Sequence, residues 1–100
     1  MTYFNYMNFK WNTEKNELLT KERGITFEEV VQNIESGAKV IETDHPNIKK
    51  YPNQRILIVE ISNYAYLVPY VKEGDSLFLK TIIPSRKATK KYLGGRSEKE

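Results

Sequence analysis

The hydrophobic period of the chain changes at Gly37, and this change restricts the fold more than any other feature of the sequence. Before Gly37, apolar residues recur at the spacing of one helix face, at Phe27, Val30, Val31 and Ile34. Thr26 and Glu29 have the spacing of a capping box, which predicts the start of this helix. After Gly37 the pattern alternates, and the segment 55–61 is rich in the β-branched residues that favour strands. The chain is therefore predicted to be an α+β protein.

Cap and turn residues predict the remaining elements. A first strand ends near Lys10 or Trp11, and a helix capped by Asn12 or Thr13 runs to Gly24. Beyond Gly37 we expect strands over residues 38–42, 55–61, 64–71 and 77–83, a hairpin turn at 62–63, a loop over 43–53, and a short basic helix from Ser85 to about Leu93. The predicted architecture is β-αα-ββββ-α, with the helices stacked on one face of an antiparallel sheet of about four strands.

Two positions in this sheet carry specific expectations. Pro69 has no N–H group, so its strand must contain a bulge there or leave that position on an edge. Simple alternation along residues 77–83 places Lys80 on the same face as Phe78 and Ile82. Whether Arg55 and Lys80 converge cannot be decided from the sequence.

The length and composition exclude several classes of protein. One hundred residues form one compact domain, which we predict over residues 1–93, followed by a disordered tail over residues 94–100. The chain has no Cys and only one histidine, His45, which excludes disulfide scaffolds, thiol catalysis and clusters of His and Cys ligands. We expect no metal and no cofactor. Because no segment approaches ~20 continuous apolar residues and Met1–Asn5 lacks a cationic signal region, we expect a cytoplasmic protein without a membrane partner.

The positive charge is concentrated in the second half of the chain. Residues 1–50 carry seven Lys or Arg and eight Asp or Glu, whereas residues 51–100 carry nine and five. Between Lys80 and Lys91 there are five cations and no acid. A local patch of this kind attracts a polyanion even when the net charge is small, because salt screens each charge beyond about 8–10 Å. The alternative is a solvated, lysine-rich terminal helix.

Several strings of the sequence resemble one bacterial protein family. Phe-Lys-Trp at 9–11 is followed by Lys15, by Gly24, by Ile-Thr-Phe-Glu-Glu at 25–29, and, after the last hydrophobic strand, by Ser-Arg-Lys-Ala-Thr at 85–89. In this order, from about Phe9 to Tyr92, the chain resembles the BrnT-type toxins of bacterial type II toxin–antitoxin systems. It departs from their pattern at Glu22-Arg23, where the family usually has Lys-His, and in the loop that contains residues 44–54.

The resemblance implies a RelE-like fold and a metal-independent endoribonuclease that cleaves RNA and arrests translation. It also implies a partner, a small antitoxin with a ribbon-helix-helix DNA-binding domain. In such systems the antitoxin neutralises the toxin and represses the shared operon, so the toxin would reach operator DNA only through the antitoxin.

A ribonuclease of this kind needs a proton acceptor, a proton donor and positive charge around the phosphorane that forms when the ribose 2′-OH attacks phosphorus. The catalytic candidates are Arg86 and Lys87 at a helix start, Arg55 and Lys80 on strands, and His45, whose imidazole can move a proton near neutral pH. The candidates for RNA binding are Lys15, Tyr51, Lys90, Lys91 and Tyr92.

Each of these residues also has a structural explanation. Arg86 and Lys15 are explained as exposed helix charges, and Arg55 and Lys80 as strand-end charges that discourage edge pairing. His45 fits a turn in a polar loop, and the tyrosines fit ordinary packing positions on half-buried strands. At the level of the whole protein, the alternative function is a non-catalytic nucleic-acid-binding or protein-interaction module on the same fold.

Overall fold

The structure, a computed structural model, describes residues 8–97, and six strands and three helices follow one another along this part of the chain. The strands are β1 (Asn8–Trp11), β2 (Val40–Asp44), β3 (Gln54–Ile61), β4 (Tyr64–Glu73), β5 (Ser76–Leu79) and β6 (Ile83–Pro84). The helices are α1 (Thr13–Arg23), α2 (Phe27–Glu35) and α3 (Arg86–Ser97). The backbone of residues 94–97, the beginning of the predicted tail, is therefore helical, and the rest of that tail lies outside the described residues.

The helices begin where the capping residues predict. The Asn12 side chain accepts a hydrogen bond from the Lys15 N–H at 2.9 Å, which satisfies one of the free donors at the start of α1. Thr26 and Glu29 form both bonds of the capping box that begins α2. Gly24 ends α1 with a φ of 67°, in the left-handed region that glycine enters without strain. These predictions are confirmed.

The sheet is larger than predicted and is mixed rather than antiparallel. Its strand order is β1-β5-β4-β3-β2, and β6 also pairs with β4. Strands β2 to β5 form the expected antiparallel meander, but β1 runs parallel to β5, with Phe9 opposite Leu77 and Trp11 opposite Leu79. This pairing places both aromatic side chains against the main core, where Trp11 stacks on Phe27 with ring centroids 5.6 Å apart.

Helices cover both faces of the sheet, which corrects the expectation of helices on one face. As predicted, α1 and α2 pack on one face, where Leu57 and Val59 of β3 join the main core. The alternate residues of the same strand, Ile56 and Ile58, point to the other face and pack with Ala88 of α3. All four of these β3 side chains are buried. The continuous apolar run in β3 is thus the signature of a strand covered on both sides.

A bulge interrupts the predicted strand 77–83 opposite Pro69. Tyr70 pairs with Leu79 and Leu67 pairs with Ile83, so two residues of β4 face three residues of the neighbouring chain segment. Pro69 and Ile56 form a pair that exchanges no hydrogen bonds, so the Pro69 nitrogen, which carries no hydrogen, faces the bulge and not β3. The Pro69 carbonyl oxygen accepts a hydrogen bond from the Lys80 N–H at 2.8 Å. One of the two expectations for Pro69, a bulge at that position, is confirmed.

The bulge also changes which residues share a face. Ile82 is fully buried in the main core together with Leu79, whereas Lys80 is exposed beside Phe78 on the other face. The expectation that Lys80 and Ile82 share a face is therefore wrong, because the extra residue shifts the alternation by one position. Arg23 donates from Nη1 to the Ile82 carbonyl oxygen and so connects the end of α1 to the bulge.

Candidate nucleic-acid interface

A cleft of about 330 Å³ lies between α3 and the sheet face that this helix covers. Its floor is apolar and is formed by Ile56 and Ile58 of β3, Leu67 of β4 and Ala88 of α3. One wall comes from the α3 side, with Ser85, Lys87, Lys91 and Tyr92, and the other from the end of β2 and the loop after it, with Thr43, Asp44 and Pro46.

Local interactions set the position of α3 beside this cleft. The Ser85 hydroxyl accepts from the Ala88 N–H at 3.0 Å and caps the helix, as the sequence predicts. The buried Thr89 hydroxyl accepts from the Ala65 N–H at 2.9 Å and donates to the Ser85 carbonyl at 2.8 Å. Because Ala88 and Thr89 face the sheet, Lys87 and Lys91, which are one helical turn apart, both border the cleft.

Four cations of α3 are exposed and form no ion pair with any residue of the described part of the chain. Arg86, Lys87, Lys90 and Lys91 are all exposed, and the first turn of α3 contains no acid. Both ion pairs found among the described residues belong to Arg55, on another element. Uncompensated cations beside an apolar cleft concentrate positive potential at its mouth, since low-dielectric walls focus the field.

The loop that follows β2 brings His45 and Tyr51 together next to the cleft. The Asn47 N–H donates to His45 Nδ1 at 3.0 Å, and the His45 and Tyr51 ring centroids are 4.6 Å apart. Lys50 Nζ lies 5.4 Å from the centroid of the Tyr51 ring. Neither ring lines the cleft, but Asp44 and Pro46, the neighbours of His45, do.

Arg55 does not join the cations of α3. Its guanidinium lies 3.6 Å from the Glu42 carboxylate and 3.4 Å from the Asp44 carboxylate, and Tyr70 donates its hydroxyl hydrogen to the same Glu42 oxygen. The register places these residues side by side on the face of the sheet that α1 and α2 cover. The charge of Arg55 is therefore neutralised by two carboxylates.

Two other sequence candidates lie elsewhere. Lys80 Nζ is 5.2 Å from the centroid of the Phe78 ring, beyond the bulge and outside the cleft. Lys15 belongs to the first turn of α1, which packs on the opposite face of the sheet from α3. Arg55 and Lys80 also point to opposite faces, since Lys80 alternates with Leu79, which shares the face of Tyr70 and Arg55. They do not converge.

The structure thus brings together three of the sequence candidates, Lys87, Lys91 and Tyr92, in the wall of one cleft. Arg86 and Lys90 belong to the same helix but do not line the cleft. Sequence reasoning missed Asp44, whose position at the end of a strand, directly before the Pro46 loop, was the available signal. It also treated Ser85 only as a helix cap, although this residue lines the cleft as well.

The described part of the chain contains neither a metal-binding cluster nor a helix that could span a membrane. Residues 8–97 contain no group of three or more His, Cys, Asp or Glu residues placed to hold a metal ion. Among the same residues, no helix combines the length and the apolar character needed to cross a membrane.

In comparisons with known proteins, no protein-family model matches the chain, and neither a curated protein nor a solved structure matches it significantly. Over residues 8–97 the fold is α+β, with three helices, a mixed sheet and a cationic cleft beside α3.

Proposed function

We propose that this protein is an RNA-cleaving toxin of a type II toxin–antitoxin system and that its RNA site is the cleft beside α3. The observation that carries the proposal is a set of four exposed cations on α3 without an ion pair among the described residues, two of which, Lys87 and Lys91, line an apolar cleft. Phosphate neutralisation by Lys and Arg provides most of the affinity of proteins for nucleic acids. The string at 85–89 that resembles BrnT-type toxins lies at this cleft and supports ribonuclease activity; a RelE-like fold belongs to the same proposal.

In the proposed reaction, Lys87 and Lys91 hold the phosphate and stabilise the charge of the phosphorane. Water accepts the proton of the attacking 2′-OH, because the Asp44 carboxylate is paired with Arg55 on the other face of the sheet. The His45 ring, beside the cleft, donates a hydrogen bond to the leaving 5′ oxygen, which takes its proton from water. The bond from the Asn47 N–H to His45 Nδ1 keeps the proton of the neutral ring on Nε2, the atom that donates this hydrogen bond.

The first prediction concerns these two lysines. Purified protein should cleave RNA in the presence of a chelator and leave 2′,3′-cyclic phosphate ends, as attack by the 2′-OH requires. The double variant Lys87→Ala/Lys91→Ala should lose at least about 100-fold in cleavage rate, because each cation placed at the reacting phosphate is expected to supply about 2.7–4 kcal/mol. Gel analysis of end-labelled RNA measures the rate.

The matched control is Lys21→Ala/Lys72→Ala, which removes the same charge from two exposed positions outside the cleft. It should cleave at the wild-type rate. Intact RNA after incubation with folded wild-type protein would contradict ribonuclease activity, and an equal loss in both double variants would contradict the location of the site.

The proposal includes an antitoxin with a ribbon-helix-helix domain and a cytoplasmic location. Growth arrest on induction, relieved by co-expression of a short neighbouring reading frame of that type, would support both the toxin role and the partner. Normal growth together with intact RNA would contradict the toxin role.

A non-catalytic RNA-binding protein is the second candidate. It is favoured by the neutralisation of Arg55 by Glu42 and Asp44 and by the composition of the cleft, whose lining includes neither histidine nor arginine. In that case the protein would retain RNA in a filter-binding assay without shortening it.

A further inference from the structure

We infer that the cleft beside α3 binds one unpaired RNA nucleotide, with its base against the apolar floor and its phosphate at Lys87 and Lys91. The inference rests on the proposed RNA site and adds the class of substrate, which is single-stranded rather than duplex RNA. It follows from the division of the cleft into an apolar floor and a cationic wall.

The floor is unsuited to a sugar-phosphate backbone. Ile56, Ile58 and Leu67 present hydrocarbon to the cleft, and these groups cannot replace the water that a phosphodiester loses on entry. The flat face of a nucleobase, by contrast, gains from leaving water. A base can reach this floor only when it is neither paired nor stacked within a duplex.

The α3 side of the cleft supplies an aromatic ring and two lysine side chains. Tyr92 is half-buried and lines the cleft, and Lys91 Nζ lies 5.3 Å from the centroid of its ring. Lys87 and Lys91 are separated by four residues of helix, which corresponds to a rise of about 6 Å. A base stacked on Tyr92 therefore has a cation beside it and a second cation one helical turn away.

The size of the cleft also favours a single nucleotide. A volume of about 330 Å³ lies at the lower end of the range of small-molecule pockets, roughly 300–1,000 Å³. A duplex would meet the cleft only with its outer phosphates, because the bases of A-form RNA are enclosed and its deep groove is too narrow for side chains.

The test compares binding of three short probes with 2′-O-methyl groups, which prevent attack by the 2′ oxygen, so that binding is measured without cleavage. The probes are a single-stranded oligouridylate, the same strand in a duplex with its complement, and an abasic strand of equal length. Single-stranded oligouridylate should bind roughly 5- to 150-fold more tightly than the abasic strand, the range expected for stacking one base. The duplex should also bind more weakly than the single strand.

Variants locate the base within the protein. Tyr92→Leu keeps an apolar side chain in the packing against the sheet but removes the ring, so it should reduce the affinity for oligouridylate to nearly that for the abasic strand. Tyr92→Phe keeps the ring and should retain more affinity than Tyr92→Leu. Tyr64→Leu, at a half-buried position outside the cleft, should bind as wild type does.

The outcomes separate this inference from the proposed function. Equal affinities for the single-stranded and abasic probes, or equal affinities of wild type and Tyr92→Leu for oligouridylate, would overturn the base pocket and leave a phosphate-binding site intact. Absence of binding to all three probes would overturn the proposed RNA site as well.

Discussion

At the scale of single residues, the most specific string in the sequence divides into structural and exposed positions. Ser85 caps α3, Ala88 faces the sheet, and Thr89 joins the helix to β4 through the Ala65 N–H. Only Arg86 and Lys87 of this string are exposed. Three residues of the string at 85–89 therefore fix the position of α3, and the other two supply cations on its surface.

The second prediction concerns the buried Thr89 hydroxyl. Thr89→Val should lower the free energy of unfolding by about 1–3 kcal/mol, because the Ala65 N–H at the end of the sheet then loses its partner. Thr89→Ser retains the hydroxyl and should cost less. Urea unfolding of the three proteins measures the difference, and a loss in Thr89→Val no larger than that in Thr89→Ser would contradict the role of the hydrogen bond.

At the scale of elements, two hairpin connections determine the register of the central strands. Ser62 and Asn63 both have positive φ, 55° and 67°, which is the conformation of a type I′ turn between β3 and β4. Gly74, with φ 59°, begins the next two-residue connection. The first of these turns is confirmed where the sequence predicts it, but with residues that are less suited to it than Asn-Gly.

The third prediction follows from this turn. The double variant Ser62→Asn/Asn63→Gly should raise the free energy of unfolding by about 0.5–1 kcal/mol, because Asn and Gly enter the left-handed region at lower cost than Ser and Asn. For a chain of this length each kcal/mol corresponds to roughly 4–8 °C in Tm. Asn53→Gly, in a loop residue without positive φ, is the control and should not stabilise the protein. An unchanged or lower Tm for the double variant would contradict the prediction.

At the scale of the whole molecule, the sheet separates α1 and α2 on one face from the basic α3 on the other. The acids of α1 and α2, such as Glu14, Glu28 and Glu29, therefore lie on the far side of the sheet from Lys87 and Lys91. The surface at the cleft is therefore more strongly cationic than the net charge of +3 indicates.

The fourth prediction concerns the salt dependence of RNA binding. Removing one phosphate contact with Lys87→Ala should reduce the slope of log K against log salt concentration by about 0.7, the value for single strands. Lys21→Ala, on α1, removes the same charge from the other side of the sheet and should leave the slope unchanged. Filter binding at several salt concentrations measures both slopes, and parallel plots for wild type and Lys87→Ala would place the phosphate elsewhere.

The sequence alone determined the features that depend on neighbours within a few residues. These features are the caps at Asn12, Thr26 and Ser85, the end of α1 at Gly24, and the turn at 62–63. Each involves only hydrogen bonds or backbone conformations within a few residues of the chain. Residue type and spacing specify such interactions, so they can be predicted from the sequence without knowledge of the fold.

Only the tertiary structure decided what depends on distant segments. Four features bring together parts of the chain that are far apart in the sequence. They are the parallel pairing of β1 with β5, the bulge opposite Pro69, the position of α3 on the second face of the sheet, and the neutralisation of Arg55. An apolar run such as 56–59 shows that both faces of its strand are buried, but not which helix covers each face. Packing, and not the sequence pattern, therefore decides which candidates meet in the cleft. These are Lys87, Lys91 and Tyr92, together with Asp44, which the sequence did not predict.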